Sequence, residues 1–183
     1  GNYSLTQLSD LLRVKLLAKY GGLWIDSTVF VSKKINKQII EDGFFSQKFT
    51  INNPLSKFYA SQNKWSLWLM GAKPESFLFN YCDKKLTSYY TNVTSSIDYY
   101  LLDYIILNAY HESNTVKTSI DDMPDNNQQT YRLMESLNDK YNSQSLYSIL
   151  KECQFHKLSY KEQLKKVSDG KYTNYGILLK RVK

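Results

Sequence analysis

The sequence predicts an α/β fold organised as one domain, and three observations predict it. A leucine-spaced segment closes on Gly21-Gly22 and gives way directly to a run of β-branched and aromatic residues, so a helix and a strand meet at a turn. Helical and strand-like patterns then alternate to the C-terminus. Neither an internal repeat nor a linker-like change of composition interrupts the 183 residues, a length that suits a single domain spanning 1–183.

Leu5, Leu8, Leu12 and Leu16, with Leu11 and Leu17, recur at helical spacing and predict a helix over 5–20 with a left-handed glycine cap. Leu23-Trp24-Ile25 and Val29-Phe30-Val31 read as the two halves of one strand, with Asp26-Ser27-Thr28 between them. An acidic residue inside an apolar strand calls for a reason. Phe44 to Ile51 and Trp65 to Ala72 are the next strands, and Pro74 opens a helix carrying Phe77, Leu78, Tyr81 and Leu86. Ser95-Ser96-Ile97-Asp98 supplies a capping start to a helix through Tyr110, buried by Leu101, Leu102, Ile105, Ile106 and Ala109. Residues 111–126 are polar and predict a loop. Tyr131 to Leu137 and Leu146 to Leu150 predict short helices, and Gln154 to Leu158 a last strand.

Composition removes several classes of function. Twenty-seven aromatic residues give ample apolar surface and exclude intrinsic disorder, and 7 Gly with 3 Pro exclude collagen-like chains. No apolar run reaches the roughly 20 residues of a bilayer-spanning helix. Cys82 and Cys153 lie 71 positions apart with neither zinc-ligand spacing nor a disulfide framework, which points to a reduced, cytoplasmic setting. Net charge is +7, yet residues 1–150 carry only +1 and residues 151–183 carry +6. Lys157, Lys161, Lys165, Lys166, Lys171, Lys180, Arg181 and Lys183 therefore make the C-terminal end basic, suited to phosphate or anionic lipid, or simply to water. No zinc finger, helix-turn-helix or RNA-binding signature accompanies them, and nucleic acid is not an expected partner.

The sharpest constellation is Ser9-Asp10-Leu11-Leu12-Arg13 followed by Tyr20-Gly21-Gly22-Leu23-Trp24-Ile25-Asp26-Ser27-Thr28. Asp10 and Arg13 are three apart on a helix and share a face, so they can offer an acceptor and a fork of donors to one ligand, or pair with each other at the surface. Asp26 suits the same ligand if the glycine turn folds the strand back beside the helix, and otherwise is a turn residue. Asp98 and Asp103 are further acids near a helix start, and Asp98 suits either general-base work or capping. Trp65, Trp68 and Met70 suit the wall of a sugar pocket or the core.

These residues resemble the bacterial capsular polysaccharide synthesis proteins, relatives of sugar transferases with an Asp-X-Asp motif. The likeness continues through Trp65 to Ala72, Asp98 to Tyr104 and His156 to Lys161, in order along nearly the whole chain. The resemblance implies the GT-A nucleotide-diphospho-sugar transferase fold and transfer of a sugar, from a UDP-sugar foremost, to a glycan or lipid-linked acceptor of a capsular polysaccharide. It implies donor contacts at Asp10, Arg13, Gly22, Asp26 and Lys157, a catalytic role for Asp26 and Asp98, and a divalent cation, Mn or Mg, at Asp26 and His156. Thr28 stands where the motif has its second Asp, and a hydroxyl is a weaker ligand. A non-catalytic glycan-binding or assembly module of the same fold is the alternative. In relatives of this fold the base-binding strands precede the Ser-Asp-Leu-Leu-Arg helix, so the resemblance makes the chain the C-terminal two-thirds of a catalytic domain, lacking the N-terminal part. The location it implies is cytoplasmic, with the basic segment available to dock on the inner face of the plasma membrane.

Overall fold

A computed structural model describes residues 4–41, 43–50, 57–93 and 97–181. The expected cap at Ser95 and Ser96, the strand end at Ile51 and the terminal Lys183 lie outside them. Along the chain come α1 (Leu5–Tyr20), β1 (Gly22–Ile25), β2 (Val29–Val31), α2 (Gln38–Glu41), β3 (Phe45–Ser46) and β4 (Leu69–Ala72). Three helices follow, α3 (Phe77–Asn92), α4 (Leu101–Glu112) and α5 (Asn114–Asp121). The remainder is α6 (Arg132–Ser136), α7 (Ser143–Glu152), β5 (Phe155–Lys157), β6 (Val167–Ser168), β7 (Lys171–Tyr172) and α8 (Asn174–Arg181). The fold is mixed α/β with small sheets, and its chain divides into two units.

The first unit comprises Gly1–Ile25 and Ile35–Asn126. A capping box starts α1: Ser4 Oγ accepts from the Gln7 amide and Gln7 Oε1 accepts from the Ser4 amide. Its sheet has the order β1-β4-β3, antiparallel, with Gly22 opposite Ala72 and Phe45 opposite Gly71. β4 is central and wholly buried, which its apolar Leu69-Met70-Gly71-Ala72 run permits. The core gathers Val14 and Leu17 of α1, Phe79, Cys82 and Leu86 of α3, and Leu102 and Ile106 of α4.

The second unit comprises Asp26–Lys34 and Asn127–Lys183. β2 pairs antiparallel with β5, placing Val29 opposite Lys157 and Phe30 opposite His156. Leu133, Leu137, Leu146 and Ile149 form its core. Both cysteines are buried, free thiols, Cys82 in the first unit and Cys153 in the second.

Several expectations are corrected. The single strand through Asp26 is two strands in two different sheets, because the chain turns at Asp26, whose carbonyl accepts from the Val29 amide. The strand expected from Phe44 is only Phe45–Ser46, and that from Trp65 starts at Leu69, since Trp65 turns inward. The helix expected at Pro74 begins at Phe77, and that expected at Ser95 begins at Leu101. Half of the expected loop 111–126 is α5, whose Val116 and Ile120 are apolar enough to bury one face of a polar helix. The glycine cap of α1 is not left-handed helical: Gly21 has φ 62° and ψ −152°, a region open in practice to glycine alone. The leucine stripe faces outward: Leu5, Leu8, Leu12 and Leu16 are exposed, and α1 buries Asp10, Arg13, Val14, Leu17 and Ala18 instead.

Candidate functional site

Two polar clusters stand out, one in each unit. In the first unit Asp10 and Arg13 share one turn of α1, and Arg13 Nη1 donates to Asp10 Oδ1 at 2.9 Å. The pair is buried, with 7% and 5% of the two residues exposed, so it is not the surface ion pair that the spacing also allowed. The Arg13 guanidinium lies 5.2 Å from the centroid of the Trp24 ring on β1, a cation–π contact that holds the helix to the strand. Asp103 of α4 joins them, accepting from Trp65 Nε1 at 2.8 Å. Burial pushes its carboxyl up to about 6; the Trp65 N–H and the Arg13 charge pull it down, and the Asp10 charge raises it further. Trp65 and Met70 are core residues, whereas Trp68 is half-buried.

Asp98 behaves differently from Asp103. It is half-buried, and its Oδ1 accepts from the Tyr100 amide at 2.8 Å, turning the chain into α4. The acid that α4 itself buries is thus Asp103. The signal was present in the sequence, since Asp103 occupies the same face as Leu102 and Ile106, where a carboxylate has no ordinary place.

In the second unit the antiparallel pairing of β2 with β5 brings Lys157 back to the turn that precedes β2. Lys157 Nζ donates to Asp26 Oδ2 at 3.2 Å and to Thr28 Oγ1 at 2.6 Å, while Thr28 O accepts from the Leu158 amide. The Asp26 and Lys157 side chains keep 28% and 22% of their surface open to solvent. His156 is adjacent in sequence and points the other way, as successive residues of a strand do. It is fully buried, with Nε2 3.1 Å from Ser32 Oγ and its ring beside Phe30. Burial pushes the imidazole down to about 4, so it is neutral at physiological pH.

The structure therefore brings Asp10 to Arg13 and Asp26 to Lys157, and it separates His156 from Asp26 across the strand. A divalent cation wants several oxygen ligands. Among the described residues no group of three or more His, Cys, Asp or Glu side chains assembles, and the Asp26 carboxylate is already held by an ammonium. This donor set does not fit a resident Mn or Mg. Gly22 opens β1 with φ 93°, and no atom stands within 4 Å of where its Cβ would be, so its backbone shape is what the turn uses. Among the described residues no helix is long and apolar enough to cross a membrane.

Comparison with known proteins gives one positive result. A family model described as capsular polysaccharide synthesis protein matches residues 1–176. No curated protein and no solved structure gives a significant match.

Proposed function

The chain belongs to the capsular polysaccharide synthesis family, and from that premise we propose that it is a glycosyltransferase of the nucleotide-diphospho-sugar type. Its donor is a nucleotide-diphosphate sugar, UDP-linked foremost, and its acceptor a capsular glycan. The observation that carries this is the Lys157 ammonium held between Asp26 and Thr28 on a partly open surface. When the bond from the anomeric carbon to the diphosphate breaks, negative charge grows on the leaving phosphate. A cation fixed beforehand stabilises that charge without reorganising at the moment of reaction. Lysine is a proven phosphate binder, and Asp26 and Thr28 supply its orientation.

Charge neutralisation is thus assigned to Lys157 rather than to a metal. Asp10, Arg13 and Asp103 act as positioning residues within the first unit, fixing α1 against β1. A buried ion pair seldom repays its desolvation, so stability alone is a poor reason for burying three charged groups together. The exposed Lys161, Lys165, Lys166 and Lys171 extend the positive surface of the second unit and suit the phosphate of a lipid-linked acceptor or an anionic bilayer.

The test is titration calorimetry of the chain with UDP and UDP-sugars. A charge-assisted hydrogen bond is worth about 1.5–3 kcal/mol, so Lys157→Met should weaken the donor by roughly tenfold to a hundredfold while the melting temperature holds. Asp26→Asn should weaken it less, because the amide oxygen still accepts from Lys157. Undiminished donor affinity in Lys157→Met rejects the proposal. Glycan binding without any nucleotide binding would favour the assembly module.

A further inference from the structure

The first unit contains a cavity of about 880 Å³ formed by α2, β3, α5 and the segment after α5, a volume within the range of small-ligand sites. We infer that it is a saccharide site, holding an uncharged sugar ring of a glycan. This does not rest on the transfer chemistry proposed above, since none of the donor residues lines it.

Part of the lining is apolar. Phe44, Phe45, Ile39 and Met123 contribute to it, and aromatic rings offer a flat face to the C–H side of a sugar. The polar lining is mainly a stripe of α5, with Asn36 and Gln38. Asn114, Thr115, Thr118 and Asp122 recur at i, i+1, i+4 and i+8, and so share one side of the helix while Val116 and Ile120 enter the core. Among the described residues these four side chains make no hydrogen bond within the protein, so their donors and acceptors are available.

The wall is also held in place before any ligand arrives. Ser119 Oγ accepts from the Phe44 amide at 3.3 Å, joining α5 to the start of β3. The buried Lys48 donates from Nζ to the carbonyls of Ile120, Asp121 and Met123, at 3.2, 2.8 and 2.6 Å. One cation thus fixes both the end of α5 and the Met123 floor, which reduces the ordering cost of binding.

The charge pattern selects the ligand class. Among the described lining residues there is no Lys, Arg or His, and Asp122 is the one ionisable group. A phosphate or uronate would meet the Asp122 carboxylate, and the described lining offers it no cation, since the Lys48 ammonium already donates to three backbone carbonyls. A wholly apolar ligand would strip water from the amide and hydroxyl groups and return nothing. A neutral sugar satisfies both kinds of lining, with hydroxyls for the α5 stripe and a C–H face for the apolar residues, of which Phe45 is the partly exposed aromatic ring.

The experiment is saturation-transfer NMR and calorimetry of the chain with glucose, galactose, N-acetylglucosamine and their disaccharides, with glucuronate and UDP as anionic comparisons. At least one neutral saccharide should bind, and more tightly than glucuronate. Thr115→Val with Thr118→Val removes two hydroxyls from an exposed helix face at nearly constant volume. It should weaken that saccharide about tenfold with an unchanged melting temperature. UDP affinity should be the same in this variant, so loss of donor binding elsewhere leaves the saccharide result standing. Absence of neutral saccharide binding, preference for glucuronate, or equal affinity in the double variant would overturn the inference.

Discussion

A carboxyl titrating near pH 6 lies among the apolar residues of α4, and its protonation is coupled to stability. Asp103 has a folded value raised above the unfolded one near 3.9. Its contribution is therefore fully present below about pH 4 and is lost as pH rises through about 6. Urea melts should show the wild type gaining about 1 kcal/mol relative to Asp103→Asn between pH 7.5 and 5. In that variant the amide oxygen can still accept from Trp65 Nε1. Parallel pH profiles of the two proteins would refute the raised titration. The Gly21 and Gly22 pair gives a second residue-scale contrast. A Cβ at Gly21 would stand 2.4 Å from Pro74 N and 2.7 Å from Ala72 O, both backbone atoms, whereas at Gly22 it would meet nothing. Gly21→Ala should cost roughly 3 kcal/mol or more, and Gly22→Ala about 1 kcal/mol of strain, as read from thermal melts.

Helix α1 shows how far a periodic pattern carries. Leucine spacing located the helix and its end correctly, because any regular stripe at 3.6-residue period favours the same backbone. The stripe did not identify the packed face. That face is set by the core it joins, where Val14, Leu17 and Ala18 pack with residues of α3, α4 and β4, and the Asp10 and Arg13 pair is buried on the same helix. Leu17→Ala should accordingly cost about 2–5 kcal/mol, while Leu12→Ala should fall within about 0.5 kcal/mol, measured by chemical denaturation. A large loss at Leu12 would mean that its 46% exposure is covered in solution. Helix α5 is the converse case. Asp121, Asp122 and Pro124 mark its C-terminal end, yet they read as a loop because only two apolar residues, Val116 and Ile120, declare a buried side. The lysine that caps it comes from a distant segment, which no local pattern contains.

Across the whole chain, two of the buried shifted groups, Asp103 and His156, oppose each other. His156 has its folded value lowered, so its contribution is present above about pH 6.5 and is lost as pH falls toward 4, the reverse of Asp103. Hydrogen exchange corrected for intrinsic rates should therefore show β2 and β5 losing protection on going from pH 7 to pH 5, by on the order of 2 kcal/mol. Amides of α4 should hold or gain protection over the same interval. Uniform loss across both would contradict the assignment. The sequence alone determined the mixed α/β character, the helix boundaries of α1, the family and the local pair of Asp10 with Arg13, because these rest on spacing within a few residues. Tertiary structure decided which side of each element is buried, that Asp26 meets Lys157 while His156 turns away, and that Asp103 is the acid α4 buries while Asp98 turns the chain ahead of it. Those outcomes depend on strand register and on desolvation, which arise only when segments far apart in sequence exclude water from one another.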